Sequence, residues 1–336
     1  MLKKILIASA ICCTIVPSFA QNDSTKKSST TLTAYLDVYY RALLKNGGGS
    51  NNNFTSFTNT HNSFKLGMAS IKVDQTLGKF TASLDLGIGK RADEFSYNDK
   101  DILTNIKGAT IAYAVTDKLK ITAGKFSTHI GYELLDATSN RNYSMSYGFS
   151  YGPFFHTGIK ADISLGGKSA MMIGIAQPTD FVSSSSPDKV IIAQFSSASA
   201  NDQLKGYLNF QGAKGKSQFD LVLTGVVSPT FAINYDGTIA TNAGKSWSSN
   251  ALYVNYDPIA KVGFTLRSEY FNDVNSVVGV GTSIFQNTLS ANVHFNKLTI
   301  IPEIRFDNAQ DKVFFNKNNN LNPYAGNFIL AAVYKL

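Results

Sequence analysis

The sequence predicts an all-β protein, a transmembrane antiparallel β-barrel of about sixteen strands. Three observations lead to this prediction. Apolar and polar residues alternate with a period of two along most of the chain, short turns alternate with long polar loops, and the last alternating segment runs to Leu336. Alternation with this period is the pattern of a strand that has one apolar face and one polar face.

A cleavable export signal is predicted at the N-terminus. Lys3 and Lys4 precede an apolar run, which is followed by a small-x-small cleavage site that ends at Ala20. The apolar run is too short to cross a bilayer as a helix. We therefore expect a signal peptide over residues 1–20 and a polar periplasmic leader over residues 21–30.

Composition excludes several classes of protein. Both cysteines, Cys12 and Cys13, lie inside the predicted signal, so the exported chain has no cysteine for a disulfide framework. The formal net charge of +8 falls by the two lysines of the signal, and no block of Lys and Arg is longer than two residues. Nucleic acid is therefore not an expected partner. No strongly hydrophobic segment follows residue 20, which excludes helical membrane spans.

The alternation assigns residues to faces from the first strand onward. Clear strands are predicted at 31–44, 80–90, 231–240, 261–272 and 298–307. In the first of them, Leu36 and Val38 share the apolar face, whereas Asp37 and Arg41 share the polar face. Because successive side chains of a strand point to opposite sides of a sheet, the two sets must face different surroundings.

The connections fix the strand count. Tight turns are predicted at 77–79, 116–118, 166–168, 257–261 and 296–297, and longer polar loops at 45–62, 91–102, 127–154, 178–188, 273–283 and 308–324. In outer-membrane barrels the short turns are periplasmic and the long loops extracellular. An even number of strands must then separate any two tight turns, which requires the strand at 231–240. The count becomes about sixteen, with both termini periplasmic.

A soluble sandwich or a lipocalin-like barrel would produce the same alternation. Charged residues in the middle of the polar faces, such as Asp85 and Glu303, favour a wet lumen instead. Aromatic residues of the apolar phase lie near strand ends, as in the interfacial girdles of membrane barrels. A sheet can cross lipid only when it closes, because every backbone group must be paired. We therefore expect outer-membrane lipid around the barrel.

Residues 127–154 form the longest unpatterned stretch in the middle of the chain and the third predicted extracellular loop. Loops of this length usually carry function. Folded inward, the loop would place charges opposite charges of the wall and create a transverse field in a constriction. The candidate loop residues are Glu133, Asp136 and Arg141, and the candidate wall residues are Arg41, Lys120, Lys160, Arg267 and Arg305. A loop that only caps the barrel mouth is the alternative.

A barrel of this size leaves an aqueous channel. The first functional hypothesis is therefore a porin for passive diffusion of small hydrophilic solutes, with a mild preference for anions because of the basic excess. A non-conducting barrel that serves as a surface receptor, adhesin or structural anchor is the rival. A barrel hydrolase that uses His129 or His156 is third, since the sequence contains neither a nucleophile elbow nor an HExxH motif. No metal-ligand spacing is evident, and no cofactor is expected.

One set of short motifs also resembles a known family. The motifs are GKF at 124–126, Thr128, GYE at 131–133, NYS at 142–144, Ser146, PF at 153–154 and HTG at 156–158. They resemble the signature of the OmpL-like β-barrel porins, and the flanking hairpins and the last strand are also similar. The resemblance implies a porin in the outer membrane of a Gram-negative bacterium. Barrels of this kind often form trimers, so a homo-oligomer is an expected assembly.

Overall fold

The computed structural model describes residues 28–44 and 54–336. The predicted signal peptide and residues 21–27 of the predicted leader lie outside the described residues. The first strand begins at Ser28, three residues before the predicted boundary. No helix in the described ranges is both long enough and apolar enough to cross a membrane.

Sixteen antiparallel strands close into one barrel, in which each strand pairs with its neighbour in sequence and the last strand pairs with the first. This confirms the predicted fold class. The barrel strands are β1 Ser28–Leu43, β2 Ser63–Leu77, β3 Phe80–Ile88, β4 Ile106–Thr116, β5 Leu119–Ser127, β6 Phe155–Gly166, β7 Ser169–Ala176, β8 Val190–Ala198, β9 Leu204–Ala213, β10 Lys216–Ser228, β11 Phe231–Asn242, β12 Lys245–Ile259, β13 Val262–Asn272, β14 Ser283–Phe295, β15 Leu298–Ala309 and β18 Tyr324–Lys335.

Short elements lie in the connections. Two further strands, β16 (Phe314–Phe315) and β17 (Leu321–Asn322), form a small ribbon between β15 and β18. Helix α1 (Lys90–Phe95) follows β3, and helix α2 (Tyr147–Tyr151) lies before β6. The predicted strand at 80–90 therefore ends early, because the chain turns into α1 at Gly89, whose φ of 126° suits glycine alone among common residues.

The two ends of the barrel differ. At one end, here called the turn end, short turns join β2 to β3, β4 to β5, β6 to β7 and further pairs up to β14 and β15. At the other end, here called the loop end, lie the long connections, together with two short turns after β9 and β11. Both chain ends of the barrel, at Ser28 and Lys335, lie at the turn end.

The predicted facing of the first strand agrees with the structure. Val38 is 44 % exposed on the outer surface, whereas Asp37 and Arg41 are fully buried in the interior. The same inward orientation buries Arg267 and Arg305, which the alternation also placed on polar faces. The interior of the barrel is thus polar, and it is filled with protein rather than empty.

Bulges change the alternation at two places that matter for the interior. In β2 the pairing with β1 shifts at Gly67, which is the extra residue opposite Asp37 and Val38. Glycine is required there because a Cβ would collide with the Asp37 carboxylate. In β4 the pairing with β3 shifts at Lys107, which is the extra residue between Ile106 and Gly108. A bulge redirects the side chain that it carries, and Lys107 is buried in the interior as a result.

Candidate functional site

The connection between β5 and β6, residues 128–154, runs through the barrel interior and is called the inner loop below. Its base is closed by a hydrogen bond from the backbone N–H of Thr128 to the carbonyl of Phe154, at 3.0 Å. Nearby, the N–H of Gly131 donates to Asp220 on β10 and that of Tyr132 to Asp236 on β11. From its first turn the inner loop is therefore bonded to the opposite wall.

Glu133 forms the central contact of the inner loop. Its carboxylate lies 2.5 Å from Nη1 of Arg267 on β13, and both side chains are buried. The same carboxylate accepts hydrogen bonds of 2.8 Å from the N–H and the hydroxyl of Ser146. Arg267 also donates to the carbonyl of Ser144. The pair therefore joins two parts of the loop to the wall, and a buried pair with such satisfied geometry is costly to break.

Asp136 is held on the other side of the barrel. Its Oδ1 lies 2.7 Å from Nζ of Lys107 and 2.9 Å from the hydroxyl of Tyr35. Lys107 also lies 3.0 Å from Asp85, so one lysine serves two carboxylates. Asp136 therefore pairs with a charge of the wall, as predicted for the loop. Its partner, Lys107, was not among the predicted wall residues.

Arg141 lies at the deepest point of the inner loop, close to the turn end. Its guanidinium makes two hydrogen bonds to Asp257, at 2.5 and 3.1 Å, and a third to Thr265 at 2.7 Å. Asp257 was expected in the turn at 257–261, but β12 continues to Ile259. The longer strand keeps Asp257 in the inward phase, which is why the arginine can reach it.

Tyr143 joins the loop to the first strand. Its hydroxyl donates to Asp37 on β1 at 2.5 Å, and its N–H donates to Glu303 on β15 at 2.7 Å. The guanidinium of Arg91, from α1, lies 4.6 Å from the centre of the Tyr143 ring and donates to the Tyr143 carbonyl. A cation over an aromatic face is favourable, and more so away from water.

Helix α2 completes the filling. Ser146 caps it by accepting from the N–H of Phe149, and the N–H groups of Tyr147 and Gly148 donate to Glu269 of β13 at 2.9 and 2.7 Å. Arg305 donates to the carbonyl of Met145 at 2.7 Å. The backbone of the loop is therefore satisfied by ionised wall side chains, which make stronger hydrogen bonds than neutral groups do.

The other predicted wall residues lie elsewhere. Arg41 donates to the carbonyl of Thr60, from the loop after β1. Lys120 and Lys160 both approach Asp162 on β6, at 3.5 and 2.9 Å. Arg305 pairs with its strand neighbour Asp307 at 2.7 Å. Of the eight candidates, the structure thus pairs one loop charge, Glu133, with one predicted wall charge, Arg267.

Three of the cavities in the described part of the chain adjoin the inner loop and matter for a path through the barrel. The first, about 920 Å³, opens at the loop end between the loops after β1, β3, β5, β7 and β13. A second, about 120 Å³, lies inside between the inner loop and Asp85 and Lys107 of the wall. A third, about 410 Å³, opens at the turn end beside Arg141. Phe154 borders both of the first two cavities, and Ser139 borders both of the last two.

A buried carboxylate supports the large cavity. Asp180, in the loop after β7, accepts hydrogen bonds from the N–H groups of Phe154 and Phe155 and from the hydroxyl of Tyr97. Burial raises the pKa of Asp180 from 3.8 to about 6, because the charged form loses hydration that these bonds only partly replace.

His129 and His156 lie together, whereas the serines of the inner loop at 144 and 146 bond to other groups. The rings of His129 and His156 lie 5.4 Å apart between centres, and Nε2 of His129 lies 2.9 Å from the carbonyl of Phe210. Burial lowers the pKa of His129. Ser144 and Ser146 instead bond to Arg267 and Glu133. In the described part of the chain, no three His, Cys, Asp or Glu side chains are grouped as a metal site requires.

Comparison with known proteins decides the family. The model of the family described as "Putative beta-barrel porin-2, OmpL-like" matches residues 29–336. The chain belongs to this family. It is therefore an outer-membrane β-barrel of the channel-forming class, as the motifs around the inner loop indicated. No curated protein matches the chain.

Solved structures similar to this OmpL-like porin share its fold at low identity. The outer membrane channel DcaP of Acinetobacter baumannii has a TM-score of 0.63 and 10 % identity, over 92 % of this chain and 97 % of that one. The trimer form of OmpT of Vibrio cholerae has a TM-score of 0.60 and 12 % identity, over 92 % and 99 %. A mutant of the Rh. blastica porin has a TM-score of 0.57 and 12 % identity, over 92 % and 100 %.

Several residues that hold the inner loop in this porin were not singled out from the sequence as candidates. Asp37, Glu269 and Glu303 carried a usable signal, because each is an acidic residue in the middle of a polar strand face. Lys107 carried none, since its inward orientation depends on a bulge. Arg91 carried no such signal either. It lies on helix α1, whereas the alternation predicted the end of a strand at 80–90 and a loop at 91–102.

Proposed function

We propose that this chain is a porin for passive diffusion of small hydrophilic solutes, in which the inner loop forms the constriction. The observation that carries the proposal is the path of the loop. It is bonded to β10, β11, β13, β15 and β1, and it reaches Asp257 near the turn end. In this proposal the loop end is extracellular, and both termini are periplasmic.

The three cavities define the route in this proposal. A solute would pass from the large cavity past Phe154 into the internal one, and past Ser139 into the cavity at the turn end. Phe154 packs against Phe57, Phe95 and Phe149, with ring centres 5.4 to 6.0 Å apart. This aromatic cluster is the proposed narrowest point. Hydrophobic constrictions limit flux because water and ions leave them readily.

The ion preference is proposed to arise at the turn end. Each candidate loop charge has a wall partner of opposite sign, so the loop contributes little net field. Besides Arg141, which is paired with Asp257, the cavity at the turn end is bordered by Lys297 and Lys335. A mouth bordered by basic groups raises the local concentration of anions, and salt weakens the effect. A mild anion preference follows.

Reconstitution into a planar bilayer tests the proposal. Folded protein, identified by a heat-dependent shift in gel mobility, should give discrete conductance steps. Heat-denatured protein in the same detergent is the control. The absence of steps from folded protein would overturn the proposal.

The rival function, a non-conducting barrel that works as a receptor, adhesin or anchor, is favoured by one observation. The inner loop is densely bonded and about half of its residues are buried, as in a permanent plug. This function predicts no solute flux, together with a specific ligand of the outer loops. The bilayer experiment therefore separates the two functions.

Assembly and surroundings belong to the same proposal. The outer surface carries exposed apolar side chains such as Leu36, Ile111 and Phe264, which suit contact with outer-membrane lipid. The similar OmpT of Vibrio cholerae is described in a trimer form. We propose a homotrimer for this chain, and native mass spectrometry of the folded protein tests it. Export through the signal peptide at 1–20 is tested by N-terminal sequencing of the exported chain.

A further inference from the structure

The large cavity at the loop end has the size and lining of a binding site. Its volume of about 920 Å³ falls within the range of roughly 300–1,000 Å³ typical of ligand sites. Six aromatic side chains border it, namely Phe54, Tyr97, Tyr151, Phe154, Phe181 and Trp247. Tyr97 is 58 % exposed, so its ring is available to a ligand.

Hydrogen-bonding groups are distributed around the cavity rather than gathered at one point. Hydroxyl and amide side chains come from the loop after β1, the inner loop, the loop after β7, and strands β9 and β11, namely Ser56, Asn59, Ser150, Thr179, Gln211 and Asn242. Four of them already bond to other protein groups, yet each keeps further donor or acceptor capacity for the hydroxyls of a ligand, namely Asn59, Ser150, Thr179 and Gln211.

The charged groups that border the cavity are either neutralised or mixed in sign. Glu94 lies 2.6 Å from Lys90 and accepts from Asn59, and Asp180 is bonded to backbone N–H groups. The remaining charged side chains of the lining are exposed and of both signs, namely Asp188, Lys214 and Lys216. Such a lining does not select a strongly charged ligand.

We propose that this cavity binds a neutral oligosaccharide before it enters the barrel. A sugar ring has an apolar face of C–H groups that packs on an aromatic ring, and hydroxyls around its edge that require hydrogen-bond partners on all sides. The lining supplies both, without net charge. The inference rests on the proposed porin function, for which it names the class of solute.

The chain contains a built-in reporter for this site. Trp247 is the single tryptophan of the sequence, and it borders the cavity. Maltotriose, an uncharged probe, should change the fluorescence of Trp247 in a saturable way in detergent-solubilised, folded protein. Benzoate, an aromatic anion, should give no saturable change. Binding measured in this way does not depend on conduction.

Variants identify the stacking rings. Tyr97→Leu and Phe181→Ala should each weaken maltotriose binding about three- to tenfold, as the loss of one aromatic contact predicts. Tyr97→Phe keeps the ring and should bind nearly as the native protein does, which separates stacking from the hydrogen bond to Asp180. Tyr113→Leu is the matched control, because Tyr113 packs on Phe80 at the outer surface.

The outcomes distinguish the two proposals. Conductance steps without a maltotriose response would overturn the saccharide site and leave the porin function intact. A maltotriose response without conductance would support the site and overturn the porin function. Saturable binding of benzoate with none of maltotriose would overturn the saccharide class. Equal weakening by Tyr97→Leu and Tyr113→Leu would show a global effect and overturn the site.

Discussion

The carboxylate of Glu133 and the guanidinium of Arg267 meet at 2.5 Å inside the barrel, although 134 residues separate them in the chain. Neither group has access to bulk water, so each depends on the other for compensation of its charge. The pair is one of several points at which the inner loop is bonded to the wall, and it is the one in which both charges are buried. Its removal is therefore the most direct way to learn what the loop does.

Glu133→Gln should destabilise the barrel by about 3–5 kcal/mol, because Arg267 would remain buried without its counter-ion. Urea unfolding in lipid vesicles, followed by Trp247 fluorescence, measures the change. Single-channel recordings should also show larger and more variable steps, since the loop would be less firmly held. Lys168→Gln breaks the exposed pair with Asp202 and should cost less than about 1 kcal/mol. Equal effects of the two changes would contradict the assigned role.

Phe154→Ala should raise single-channel conductance, because Phe154 borders both the large cavity and the internal one and belongs to the proposed narrowest point. The variant should also lose about 3–5 kcal/mol of stability, as truncation of a buried ring does. Phe154→Leu should give an intermediate conductance. Phe264→Ala, on the outer face of β13, changes the same side chain away from the lumen. Unchanged conductance in Phe154→Ala would place the narrowest point elsewhere.

The double change Lys297→Gln and Lys335→Gln should reduce the anion preference, since both lysines border the cavity at the turn end. Reversal potentials in a KCl gradient measure it. The difference from the native protein should shrink near 1 M salt, where the screening length is about 3 Å. Lys79→Gln with Lys118→Gln removes the same charge from turns outside that cavity. A similar shift in this control would show that net charge, not the mouth, sets the preference.

Asp180 predicts a pH dependence of stability. Its pKa is raised from 3.8 to about 6 in the folded protein, so the folded state binds more protons than the unfolded state between these values. The free energy of unfolding should therefore increase by up to about 3 kcal/mol as the pH falls from 7 to 4. This added stability is lost when the pH rises through 6. Urea unfolding at several pH values measures this.

Asp180→Asn should remove that component of the pH dependence, since the amide does not titrate. Asp188→Asn, an exposed change in the same loop, is the control and should leave the dependence in place. A native-like pH profile in Asp180→Asn would assign the dependence to another group.

The fold was predictable from the sequence because its determinants are local. Alternation along each strand and the parity of turns and loops gave the number of strands without any knowledge of long-range contacts. The partners of the inner loop could not be predicted in the same way. Asp136 pairs with Lys107 because of a bulge in β4, and Arg141 pairs with Asp257 because β12 runs three residues further than predicted. Small changes in remote strands therefore decide both pairs.

Glu133 and Arg267 could be predicted as candidates because each is an ionised residue that a porin-like interior must compensate. Which of the five wall cations would pair with Glu133 could not be predicted. The answer depends on where the loop crosses the lumen, and that path is set by Tyr143, Ser146 and α2 together. Patterns within one segment do not record such an arrangement.

Tyr143 also has a consequence for how the protein is assembled. With Ala137 it packs in one cluster with Tyr39 of the first strand and Ile329 and Ala331 of the last. The seam that closes the cylinder thus shares its interior contacts with a segment from the middle of the chain. Docking of that segment and closure of the seam each reduce the entropic cost of the other, so the two events are cooperative during biogenesis in the membrane.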